Sequence, residues 1–183
     1  MKGIIFNLLE QLVDESYGEN TWDDVLDAAE VDGAYTALGN YDDSEFLAVL
    51  GAVATKTSRS TQEALRWLGR GAIPLLAASY SSFFTGHRSL ETFLPTINDV
   101  IHAEVRKLYP GAETPWFEVN SDESGHGVRL TYSSARQLCA LAEGLVEGAA
   151  IQFGEAVAIE QPACMLRGDP QCVLVCTLAD QPA

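Results

Sequence analysis

Apolar residues recur at helical spacing through the first part of the chain. Ile4, Ile5, Leu8, Leu9, Leu12 and Val13 fall on one side of a helix, and Gly18 follows as a stop. Thr21-Trp22-Asp23-Asp24 offers a cap and first-turn carboxylates for a short second helix through about Ala29. A third helix is expected over residues 43–57. Ser60 with Glu63 three residues on is a capping-box pattern, and it opens a helix carrying Leu65, Trp67 and Leu68 that Pro74 is expected to kink or divide. Residues 79–90, rich in Ser, Gly and aromatics, read as a connection. Pro95 suits the first turn of the next helix, whose apolar positions are Ile97, Val100, Ile101, Val105 and Leu108, and Pro110-Gly111 closes it. Beyond that point short runs at 116–119, 128–132, 156–159 and 172–178 read as strands, with a helix over about 135–153 between the second and third. The pattern predicts an α+β fold: a helical N-terminal lobe (1–65) and a C-terminal lobe (66–183) built as ββαββ around a four-stranded antiparallel sheet. No repeat or linker divides the chain, so 1–183 reads as one domain.

Composition narrows the possible functions. The chain is 183 residues long, 47% hydrophobic and 20% charged, which is the balance of a globular protein. Its formal charge of −15, with 11 scattered basic residues, argues against nucleic acid as a partner. The apolar run after Lys2 is broken at Glu10, too short for a signal segment or a membrane span, so a cytoplasmic location is expected. Four cysteines fit that compartment as thiols or metal ligands. There is no G-x-S-x-G, Walker loop, H-E-x-x-H or dinucleotide fingerprint to suggest an enzyme, and the 26 acidic residues read as solvated faces.

The chemistry concentrates in Thr131-Tyr132-Ser133-Ser134-Ala135-Arg136. If the segment is extended, Tyr132, Ser134 and Arg136 share one face and present two hydroxyls and a guanidinium fork, a set matched to carboxylates. About thirty residues upstream, His102 lies on a predicted helix. A cofactor with two carboxylates and a metal that takes an axial imidazole is haem. No C-x-x-C-H is present, so it would be haem b, held without thioether bonds. His87 and His126 fall in predicted loops and read as exposed.

These landmarks, taken in order, resemble the haem nitric oxide/oxygen binding (H-NOX) family, which includes bacterial stand-alone gas sensors and the haem domain of soluble guanylate cyclase. The resemblance runs from Met1-Lys2-Gly3-Ile4-Ile5 through His102, Pro115 and the Tyr132 to Arg136 motif to Gly144 and Gly148. It implies haem between the two lobes, His102 as the iron ligand, Tyr132, Ser134 and Arg136 on the propionates, and Pro115 pressed against the porphyrin. It also implies a distal pocket shaped by Ile5, Leu9 and Leu141. Relatives that hold oxygen carry a tyrosine where this chain has Leu141, so the expected ligand is nitric oxide, with carbon monoxide also accommodated, and oxygen is excluded. With no output domain in the chain, the resemblance implies signalling by lobe rotation to a separate protein, a histidine kinase or a cyclic-di-GMP enzyme.

Cys139, Cys164 and Cys172 form a second constellation. Some relatives bind structural zinc through such a set plus a histidine, but this chain has Gln161 at that place, and glutamine is a poor zinc ligand. Cys176 lies about 13 Å along a strand from Cys172 and is too far to complete the set. Zinc, buried packing thiols and a redox switch all remain open. Two other functions stay in view: a thiol or zinc redox sensor using these cysteines, and a haem-free small-molecule binding module, since the Cys164 to Cys172 segment with Gly168 also resembles vinyl-reductase-type domains.

Overall fold

The computed structural model describes residues 1–109, 111–121 and 127–178. Four helices open the chain: α1 (Gly3–Tyr17), α2 (Thr21–Ala29), α3 (Asp43–Lys56) and α4 (Thr61–Ser79). Gly18 stops α1 at φ 99, a left-handed conformation that glycine adopts without a Cβ penalty. At the start of α4 the Ser60 Oγ accepts from the Glu63 N–H at 3.2 Å, and the Glu63 carboxylate accepts from the Ser60 N–H at 2.7 Å. Phe6, Leu9, Val13, Phe46, Leu50, Leu65 and Leu68 from these helices make the first core.

Pro74 neither divides α4 nor ends it. A proline leaves the carbonyl four residues back without its helical partner, here that of Arg70. The helix α7 (Cys139–Gln152) packs on that surface: a Cβ built on Gly148 would lie 2.5 Å from the Arg70 oxygen, and one on Gly144 would lie 2.1 Å from the Arg66 oxygen. Glycine on both helices lets the backbones touch, since Gly69 of α4 faces the Leu141 carbonyl in the same way. Arg66 then bridges to Glu143 at 2.9 Å and also pairs with Glu147.

Between α4 and the sheet run a 3₁₀ turn (Ser81–Phe83), α5 (Leu90–Phe93), a π-helical segment (Ile97–Ile101) and α6 (His102–Leu108). His87, expected to be exposed, instead packs edge-on against Phe93, ring centroids 5.6 Å apart. His126 and Pro110 lie outside the described residues. The strands are β1 (Trp116–Ser121), β2 (Gly127–Ser133), β3 (Val157–Ala163) and β4 (Cys172–Leu178), antiparallel in the order β1-β2-β4-β3. Phe117 pairs with Tyr132, and Tyr132 with Cys172. The register of the β3 edge shifts between Glu160 and Ala163, where Pro162 has no N–H to give the ladder.

Leu130, Leu174, Cys172, Phe93 and Val146 belong to a second core. Both cores share α4: Ala64, Leu65, Leu68 and Ala72 serve the first, Ile73 the second. The 65/66 boundary expected from sequence therefore falls inside one continuous helix. Among the described residues, no helix is long and apolar enough to cross a membrane.

Candidate functional site

A cavity of about 340 Å³ lies between the two cores. Ile4, Ile5 and Leu8 of α1, Leu141 and Leu145 of α7, Ile101 and Val105, and the rings of Phe83, Phe84 and Phe93 give it apolar walls. Its volume is within the range of small-molecule and cofactor sites, and the polar groups lining it are few.

His102 reaches this cavity from the first residue of α6. Its Nδ1 is buried with no hydrogen-bond partner. Burial, helped by the Arg106 charge, pulls the imidazole down to about 4, and a hydrogen bond with the Pro115 backbone only partly opposes this. The ring is therefore neutral at physiological pH and has a lone pair to offer, as a metal ligand requires. Pro115 lines the same cavity just before β1.

Tyr132, Ser134 and Arg136 all line the cavity, but they do not share a strand. β2 ends at Ser133, and a turn closed by the Gln137 N–H on the Ser134 carbonyl (3.1 Å) brings Arg136 round. α7 accordingly starts at Cys139, not near residue 135. The buried Tyr132 hydroxyl accepts from the Leu138 N–H at 3.1 Å, and the Ser134 Oγ from the Arg136 N–H at 3.2 Å. The guanidinium donates to Asp43 Oδ2 (2.8 Å), the Glu113 carbonyl (2.8 Å) and Glu113 Oε2 (3.1 Å). Its demand for carboxylate oxygens is thus visible in the fold. Asp43 also accepts from the Met1 α-amino group at 2.7 Å, so the motif arginine is tied to the helical lobe.

Of the expected distal residues, Ile5 and Leu141 line the cavity and Leu9 does not. Leu9 is fully buried in the first core, because α1 runs inward there and exposes Ile4, Ile5 and Leu8 to the cavity instead. Sequence reasoning also did not place Tyr109 in the cavity; its hydroxyl meets that of Tyr80 at 3.1 Å. Tyr17, by contrast, lies on the surface against Arg59.

The other site is the thiol cluster. Cys139 opens α7, Cys164 follows β3 and Cys172 opens β4, and their three sulfurs lie within 4.8 Å of one another. Cys139 and Cys164 are 3.6 Å apart, and Cys172 accepts from the Met165 N–H at 3.2 Å. Burial pushes Cys172 up to about 12. For Cys164 burial is outweighed by the Leu166 N–H and the neighbouring thiols, so this sulfur is the one held below its usual range. The Gln161 Nε2 is buried without a hydrogen-bond partner. Cys176 is buried outside the group.

Comparison with known proteins decides the family. The haem-NO-binding family profile matches residues 2–161. This chain belongs to the H-NOX family. It is similar to an H-NOX protein of Shewanella oneidensis solved in the Fe(II)NO state, at 32% identity over 98% of this chain and 100% of that one, with TM-score 0.90. The same species' H-NOX domain in the Fe(II)CO state gives 31% identity over 99% and 100%, TM-score 0.89. Unliganded Fe(II) H-NOX from K. algicida gives 26% over 100% and 99%, TM-score 0.86. The α+β architecture is that of the H-NOX fold, a haem-based gas-sensor module.

Proposed function

We propose that this H-NOX domain holds ferrous haem b between its lobes, senses nitric oxide and excludes oxygen. The observation that carries this is one apolar cavity with a half-buried, neutral imidazole on its wall, its Nδ1 without a hydrogen-bond partner, and Tyr132, Ser134 and Arg136 converging on it. That set fits an apolar macrocycle that carries two carboxylates and a metal able to take an imidazole ligand. His102 would hold the iron, Tyr132, Ser134 and Arg136 would hold the propionates, and Pro115 would lie against the porphyrin. Ferrous haem held by these residues would supply the site for a diatomic gas.

Selectivity follows from the aliphatic side chains. Ile5, Leu141 and the neighbouring Ile4 and Leu8 carry no donor for the partial negative charge of bound oxygen, and nitric oxide needs none. The Tyr80 and Tyr109 hydroxyls engage each other. That S. oneidensis relatives take NO and CO supports both as ligands. The signal leaves by rotation of the helical lobe to a separate histidine kinase or cyclic-di-GMP enzyme. A cytoplasmic site of action accords with four free thiols.

The test is the visible spectrum of the reduced protein alone, in air and with nitric oxide, beside His102→Ala. A Soret band unmoved by air, shifted by nitric oxide, and restored in the variant only by added imidazole is expected. No Soret band after reconstitution with haemin would remove this reading.

A structural zinc ion is a second reading, favoured by three thiols whose sulfurs lie within 4.8 Å of one another. Gln161 supplies no good fourth ligand. Metal analysis is expected to give about one zinc per chain, lost in Cys164→Ser, with the haem spectrum retained.

A further inference from the structure

Asn98 and His102 are four residues apart, so both side chains leave the same face of the helix. Both meet one residue of β1. The Asn98 amide donates to the Phe117 carbonyl, and its Oδ1 accepts from the Phe117 N–H at 3.2 Å. The His102 imidazole lies beside the Phe117 ring, centroids 5.8 Å apart and 32° between planes. Phe117 in turn contacts the ring of Tyr132 at 5.4 Å.

This arrangement has a sheet-level reason. β1 is an edge strand, and alternate residues of an antiparallel strand turn their N–H and C=O outward. Those of Phe117 face outward, and the Asn98 carboxamide satisfies both as a further strand would. Asn98 lies in the π-helical segment, a geometry of rare occurrence that sets the side chains feeding into α6. The result is a two-point attachment of the His102 helix to the lobe that carries Tyr132, one point through backbone and one through a ring.

We infer that Asn98 is a positioning residue: its clasp on Phe117 fixes the His102 helix against β1 and resists the departure of His102 from the iron when nitric oxide binds. The inference rests on His102 being the haem ligand, and it adds a named group that sets how readily that bond is lost. When His102 is released, the clasp still holds the helix at the sheet edge. Without the clasp the helix follows the side chain away.

The experiment uses the haem-loaded full chain and its Asn98→Ala and Asn98→Asp variants. Aspartate can accept from the Phe117 N–H but cannot donate to the carbonyl. After mixing with nitric oxide, the conversion from a histidine-bound to a histidine-free complex is followed by stopped-flow absorption. The end state is read from the trans-nitrogen hyperfine splitting in the electron paramagnetic resonance spectrum. Loss of the two hydrogen bonds is expected to speed conversion about tenfold in Asn98→Ala. Asn98→Asp is expected to fall between it and wild type, and the unliganded ferrous spectra should be unchanged. Equal rates, or absence of conversion in both wild type and Asn98→Ala, would overturn the inference. So would failure of both variants to take up haem, which would make the clasp a folding element only. Failure of the underlying reading shows separately, as an unliganded spectrum that His102→Ala leaves unaltered.

Discussion

His102 shows how burial prepares a side chain for work. Desolvation keeps its imidazole uncharged, and its buried Nδ1 has no hydrogen-bond partner within the protein, so a lone pair is left that a metal could take. Leu141 is the reverse case: on the proposed reading, its lack of a polar atom is what would disfavour oxygen. Replacing Leu141 with Tyr places a hydroxyl in the aliphatic wall. One hydrogen bond to a polar ligand is expected to slow oxygen dissociation roughly tenfold, and the reduced variant's spectrum should then change in air. An unchanged spectrum would mean that residue 141 does not face the gas. Tyr132 and Arg136 announce themselves in sequence by chemical type. Asn98, Asp43 and Glu113 do not, since each is a common polar residue until the fold brings it to Phe117 or Arg136.

Among the elements, the contact of α4 with α7 is the closest helix pair and depends on absent side chains. Gly144→Ala would drive a Cβ to 2.1 Å from a backbone oxygen, which cannot rotate away. Overpacking of this kind is expected to cost about 1–3 kcal/mol, lowering the thermal midpoint by roughly 2–10 °C. Gly51 in α3 is the control: nothing lies within 4 Å of its Cβ position, so Gly51→Ala is expected to stabilise by about 0.5–1 kcal/mol. Calorimetry of the two variants separates close approach from simple glycine flexibility. At this scale much could be read from the chain. The α1 stripe with Gly18, the Ser60–Glu63 box and the strand alternation are local signals, and all four predicted strand runs fall on strands. Pro74 does not divide α4, because a proline's lost hydrogen bond is tolerated where a neighbouring helix covers the freed carbonyl.

For the whole molecule, the tie from Asp43 to Arg136 joins the helical lobe to the turn beside the cavity. Burial raises the Asp43 pKa, but hydrogen bonds from the Met1 amino group and Arg136 outweigh it and leave the carboxyl below its ordinary value of 3.8. A carboxyl lowered by folding contributes stability above its unfolded pKa, and that contribution fades as pH falls through the folded value. Protection of the amides at the start of α3, taken relative to their intrinsic exchange rate at each pH, is therefore expected to be constant near neutrality and to fall only in acid. Asp43→Ala should quicken the same amides at neutral pH while changing global stability by no more than about 1 kcal/mol, the range for partly exposed ion pairs. Unaltered exchange in the variant would show that the tie does not hold the lobes together.

By itself the sequence determined the order of the main helices and the four strands, and singled out His102, Tyr132, Ser134 and Arg136 as the residues whose chemistry stands out; the short 3₁₀, α5 and π-helical pieces between α4 and α6 were not legible in it. Periodicity, caps and side-chain donor geometry act over a few residues, so they can be read without the fold. Only the tertiary structure decided that Leu9 is sealed in the first core while Leu8 meets the cavity, and that Arg136 arrives by a turn. It also placed Gln161 beside the Cys139 thiol on a bulged edge and Asn98 on the backbone of Phe117. Helical periodicity tells which face is buried but not how deep each turn lies. Contacts spanning 19 residues for Asn98 and 93 for Arg136 leave no mark on their neighbours in the chain.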